Sequence, residues 1–158
     1  MSGSASPSIP VGRVAGVDYG RRRIGVAICD AERIIFSPLC VRQTTGDLAA
    51  DATFFKGVAL EEGIVGFVVG LPIHADGTDS GMSVEVERFG AWLGRITSLP
   101  VVFHDERYSS REAAGLLAGV GLTRGRKKAR ADAVAAQVVL QSWLESQTRG
   151  ERPEALDG

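Results

Sequence analysis

The chain has 158 residues, 44% of them hydrophobic, which fits one domain around a single core and excludes a two-lobed architecture. A formal net charge of −1 excludes a polycation that coats nucleic acid indiscriminately and confines any basic surface to a local patch. No segment reaches the roughly 18 uninterrupted apolar residues of a membrane span, and the opening MSGSASPSIP lacks the flank and apolar stretch of a secretory signal, so a cytoplasmic protein is expected.

Residues 1–11, rich in Ser, Pro and Gly, are expected to form a disordered leader. Three short β-branched or aromatic runs follow, Val14 to Val17, Ile24 to Ile28 and Ile34 to Phe36, separated by turn residues and expected as an antiparallel meander. From Asp47 the period changes, and Leu48, Ala52, Phe55 and Ala59 fall on one helical face before Gly63 stops the run. Ile64 to Val69 is nearly continuously apolar, as in a strand buried on both faces, and ends at Gly70-Leu71-Pro72. Met82, Val86, Phe89, Leu93 and Ile96 mark a second amphipathic helix, and Val101 to Phe103 a fifth strand. A Ser109-x-x-Glu112 capping box predicts a third helix through Leu117, and Ala131 to Leu144 a last one. Residues 147–158 mix charge with Gly and Pro and are expected as a flexible tail. The order βββαβαβαα describes an α/β domain over 12–146, a mixed five-stranded sheet with helices on both faces. Cys29 and Cys40 lack the paired spacing of a zinc site and are expected as reduced core thiols.

The chemistry lies in the acids. Asp18 ends the first strand, the HDER segment holding Asp105 and Glu106 ends the fifth, and Asp132 opens the predicted last helix. In such a sheet ligands gather outside the carboxyl ends of parallel strands, where neighbouring side chains approach within roughly 5–10 Å. Taken alone, Asp18 suits a turn residue bonding its own backbone, and Asp132 a helix N-terminal anion. Taken together, the acids would repel unless a cation lies between them, and Mg2+ or Mn2+ with oxygen ligands answers that need. Two such ions assist in-line phosphodiester cleavage, which points to nucleic acid hydrolysis.

The basic residues fit the same chemistry. Arg21, Arg22 and Arg23 follow Asp18, and each suits either a solvated turn or a phosphate contact. Arg107 follows Glu106, and the run TRGRKKAR supplies Arg124, Arg126, Lys127, Lys128 and Arg130 as a loop leading into Asp132, with no acid between Glu112 and Asp132. His74 and His104 are assigned no catalytic role.

The segments GVDYGRRRIGVAICD, VVGLPIHADGT, HDERYSSREA and ADAVAAQVVLQSWL, in this order, resemble the YqgF family, also called RuvX, of pre-16S rRNA nucleases and Holliday junction resolvase-like proteins. The resemblance implies an RNase H-like fold, a divalent-metal site and 5′-end maturation of 16S rRNA. It carries the metal-ligand role to Asp18, Asp132 and the acidic pair Asp105 and Glu106, with Glu106 preferred for its longer reach. The fourth strand ends without a carboxylate, unlike classical resolvases, and Tyr108-Ser109-Ser110 stands where the family usually has Leu-Thr-Thr. The implied partner is pre-16S rRNA, or branched DNA if the protein is a junction resolvase. Paired cuts in a junction call for a homodimer, whereas trimming RNA is open to a monomer. A non-catalytic RNA-binding or transcription-associated module is a further alternative. The GVDYG turn also matches the phosphate-binding turn of actin-like ATPases and sugar kinases, but those close two domains over nucleotide and this chain has room for one.

Overall fold

A computed structural model describes residues 8–72, 81–105 and 124–157. The expected third helix, its capping box, His74, Glu106 and Arg107 lie outside the described residues. Five strands form one sheet: β1 Arg13–Asp18, β2 Arg23–Cys29, β3 Phe36–Gln43, β4 Ile64–Leu71 and β5 Val101–Asp105. Their order is β3-β2-β1-β4-β5. β1, β2 and β3 pair antiparallel as the expected meander, whereas β1-β4 and β4-β5 are parallel.

Helices α1 (Leu48–Glu62), α2 (Gly81–Thr97) and α3 (Arg124–Asp157) cover both faces. The strand period of two sorts the side chains between them. Ala15, Val17, Ile24, Val26, Phe67 and Val69 pack against Phe55 of α1 and Val86, Phe89 and Leu93 of α2. Val14, Cys29 and Val68 pack on the other face against Val139, Leu140 and Trp143 of α3. Cys29 is buried and Cys40 partly so; both are free thiols whose pKa burial raises. Among the described residues no helix is long and apolar enough to cross a membrane.

α1 shows how local chemistry sets an element. The Asp47 side chain accepts from the amides of Ala49 and Ala50, and Gly63, at φ 65°, closes the helix by donating to Ala59 O. The buried face differs from the expected one: Asp51, Phe55 and Val58 point inward, while Leu48 is 66% exposed. The buried Asp51 carboxylate is paired with Arg42 at 3.0 Å, which accounts for an acid on the inner face.

The third strand is also displaced from its expected place. Ile34 and Ile35 lie outside the sheet and are exposed, because Asp30 Oδ1 accepts from both their amides, at 2.8 and 3.0 Å, and Arg33 turns the chain at φ 60°. β3 begins only at Phe36 and contains Pro38, tolerated because β3 is an edge strand with a register shift opposite Val26 and Ala27.

The last helix is longer than expected at both ends. α3 takes in the basic run upstream and continues through the residues expected as a tail, to Asp157. Once its centre is packed on the sheet, the costly nucleus exists, and the Arg, Lys and Ala of the basic run extend it readily upstream. The downstream extension passes Gly150 and Pro153 and has no such propensity behind it.

Candidate active site

The carboxyl end of β1 brings two of the expected acids together. Asp18 pairs across the ladder with Gly25 of β2. A Cβ on Gly25 would coincide with the main-chain carbonyl of Asp132, so the α3 backbone rests directly on that glycine. Gly16, whose Cβ would strike Ala136 O, seats the next turn of the same helix. Asp18 alternates with the α2-facing Val17 and so lies on the α3 face beside Gly25. Directly paired residues have Cβ atoms about 4.5–5.5 Å apart. Asp18 and Asp132 are therefore neighbours over Gly25, though 114 positions separate them in sequence.

Arg23 supplies positive charge at this spot. Its Nε donates to Asp132 Oδ2 at 2.8 Å, with the two side chains 30% and 25% exposed. Its side chain is thus engaged at the acid site, neither loose on a solvated turn nor held away from it. Asp132 is likewise not a helix-terminal anion, because α3 begins eight positions earlier, at Arg124. That correction strengthens its candidacy, since the first-turn amides do not claim its side chain.

Asp105 does not join them. It ends β5 opposite Leu71, and β4 separates β5 from β1, about 10 Å in all. On β5, Val102 and His104 turn toward α3, with His104 Nε2 2.8 Å from Ser142 Oγ, while Phe103 meets Gly90 of α2. Alternation then turns Asp105 toward the α2 face, away from Asp18 and Asp132. Burial lowers the His104 pKa against the opposing charge of Asp105. Among the described residues no three His, Cys, Asp or Glu side chains converge as a metal site, and Glu106, the preferred third ligand, is outside them.

The turn after Asp18 is pinned from two sides. Thr44 Oγ1 donates to Arg21 O at 2.7 Å and Thr44 N to Arg22 O at 2.9 Å. Across the sheet edge, Glu85 of α2 accepts from Tyr19 OH at 2.7 Å and Arg21 Nε at 2.9 Å. Burial, then the bond to Glu85, pushes the Tyr19 pKa up to about 12, and the same bond lowers that of Glu85. Arg22 is exposed. Arg124, Arg126, Lys127, Lys128 and Arg130 lie in the first two turns of α3, a helix where a loop was expected.

Sequence reasoning missed Gly25, the Arg23–Asp132 pair and Glu85. An isolated glycine inside an apolar strand is the usual mark of a close backbone approach, and Gly25 carried that signal. Neither ion pair has a local signature.

Comparison with known proteins bears on this arrangement. The family model described as "RuvX: Holliday junction resolvase" matches residues 12–146. A protein of Rhodopirellula baltica named "Putative pre-16S rRNA nuclease" is 48% identical over 141 residues, covering 89% of this chain and 81% of its own. A Synechococcus protein of the same name is 36% identical over 146 residues, covering 91% and 96%. The solved structure "T. thermophilus RuvC in complex with Holliday junction substrate" superposes with a TM-score of 0.54 at 15% identity, covering 85% of this chain and 96% of that one. The fold is RNase H-like.

Proposed function

Because the chain belongs to the RuvX family, we propose that it is a divalent-metal nuclease that trims the 5′ end of pre-16S rRNA in the cytoplasm. The observation that carries this reading is the meeting of Asp18 and Asp132 over Gly25. The donor set fits a hard cation, since two carboxylates of different elements share one small area and their mutual repulsion calls for positive charge. Asp18 and Asp132 would hold the ion, with Glu106 as third ligand in preference to Asp105, which is turned to the other face. When bound, Mg2+ or Mn2+ supplies an activated water and charge for the leaving oxygen.

The chain's own groups do the rest. Arg23 fixes Asp132 by one carboxylate oxygen and holds its charge in check before a cation arrives. The clamp of Tyr19 and Arg21 on Glu85 keeps the turn after Asp18 from drifting. The five cations at the start of α3 lead into Asp132 and offer a track for backbone phosphates, with Arg21, Arg22 and Arg107 as further candidates.

The family description also favours a second reading, resolution of four-way DNA junctions, which would require a dimer. One assay separates them: a 5′-extended 16S precursor fragment and a four-way DNA junction, each with Mg2+ or Mn2+, with the Asp18→Asn variant as control. RNA cutting that spares the junction, lost in the variant, is expected. Paired junction cuts with intact RNA would promote the resolvase, and full activity in Asp18→Asn would sink the carboxylate site.

A further inference from the structure

On the face of the sheet opposite the carboxylates, a cleft of about 410 Å3 opens beside the β1–β2 turn. Its floor is a set of touching rings: Tyr19 lies 4.8 Å from Phe89 between centroids, and Phe89 5.8 Å from Trp92. Arg21 and Arg88 stand in its lining. The two acids in the lining are already engaged, Glu85 by Tyr19 and Arg21, and Asp51 by Arg42. Arg88 is exposed and makes no ion pair among the described residues. The result is an aromatic floor bordered by the Arg21–Glu85 pair and by Arg88, a cation with no ion pair among the described residues.

The position of this cleft follows from strand alternation. Asp18 faces α3, and the next residue, Tyr19, lines the cleft on the other face. A strand whose phosphate lies at Asp18 has only the β1–β2 turn to cross before a flanking nucleotide stands over the rings.

We propose that this cleft takes an unstacked nucleobase of single-stranded nucleic acid, next to the bond being cut, with its phosphate toward Arg21 and Arg88. The inference rests on the nuclease reading and narrows its substrate to a strand with free bases at that point. A paired base presents only its edges, whereas ring floors recognise the exposed face of any base. The volume falls in the range of about 300–1,000 Å3 usual for small-ligand pockets. A purely apolar occupant would leave Arg88, which has no ion pair among the described residues, without an anion.

Trp92 reports on the cleft directly. The second tryptophan, Trp143, is buried on the opposite sheet face at 7% exposure, so a Trp143→Phe background isolates the signal. If that variant fails to fold, the unaltered chain serves, with Trp143 as constant background. In chelator, a short single-stranded oligoribonucleotide is expected to quench Trp92 emission, and an abasic strand of equal length to leave it. Arg88→Glu, at an exposed position, should weaken the quenching about tenfold and raise KM for cleavage more than it lowers kcat. Equal quenching by the abasic strand overturns the proposal. Equally tight quenching by a free nucleoside monophosphate also overturns it, in favour of a free-nucleotide site. Quenching by the base-bearing strand in a protein that cuts nothing would keep the cleft and sink the nuclease reading, and cutting without quenching would do the reverse.

Discussion

Arg23 and Asp132 are 109 residues apart in the chain and form an ion pair, Nε to Oδ2 at 2.8 Å, on the sheet face that also carries Asp18. The guanidinium puts positive charge on Asp132, beside Asp18. In Arg23→Gln the carboxylates would face each other without it, and each would disfavour the other's charge. Because both side chains are partly exposed, the loss in chelator should be only about 1 kcal/mol. A divalent ion should then restore more stability to the variant than to the parent. Thermal melts with and without Mg2+ check this, and an equal gain in both proteins would deny Arg23 the counter-charge role.

Gly25→Ala tests the seat of α3. The added methyl would meet the carbonyl of Asp132, which is main chain and cannot swing aside. The expected cost is about 1–3 kcal/mol, together with loss of cleavage in whatever fraction stays folded. Gly57→Ala in α1 is the matched control: nothing lies within 4 Å of its new Cβ, and it should gain about 0.5–1 kcal/mol. Denaturant midpoints for the pair settle it, and a neutral Gly25→Ala would mean that the helix does not rest there.

The frame of the domain was legible because burial follows period. Strands alternate between two helix layers, and the apolar run Ile64 to Val69 declared a strand covered on both sides. Where local side-chain bonding competes, composition misleads: Ile34 and Ile35 are good strand formers, yet Asp30 draws their amides into a turn. Asp18 and Asp132 stood out as acids at predicted element ends. What placed them together was a glycine whose partner lies 107 positions away, and no local pattern announces such a contact. Adjacency in HDER says nothing about face, so the sequence left the choice between Asp105 and Glu106 open, whereas the pleat sets Asp105 on the face opposite His104.

The basic turns at the start of α3 should act through phosphate rather than fold. Replacing Arg126, Lys127 and Lys128 with Ala removes three cations and keeps a strong helix former at each position. Each lost phosphate contact lowers the salt dependence of binding by about 0.7–0.9 in log–log slope, so the variant should lose about 2. Binding of a precursor RNA fragment across a salt series measures it. An unchanged slope would leave these residues to solvent.

Asp30 gives the turn before β3 a pH dependence of definite sign. The amides of Ile35 and Ile34, bonded to its carboxylate, hold its pKa below the ordinary value. The unfolded chain therefore takes up this proton first as pH falls from about 3.9. The contribution to stability is present above that pH and is lost as pH drops through the folded value. Asp30→Asn keeps an acceptor oxygen for the two amides but has no charge to titrate. Between pH 5 and 2 its denaturant midpoint should fall less steeply than that of the parent, and parallel curves would assign the acid sensitivity to other carboxylates.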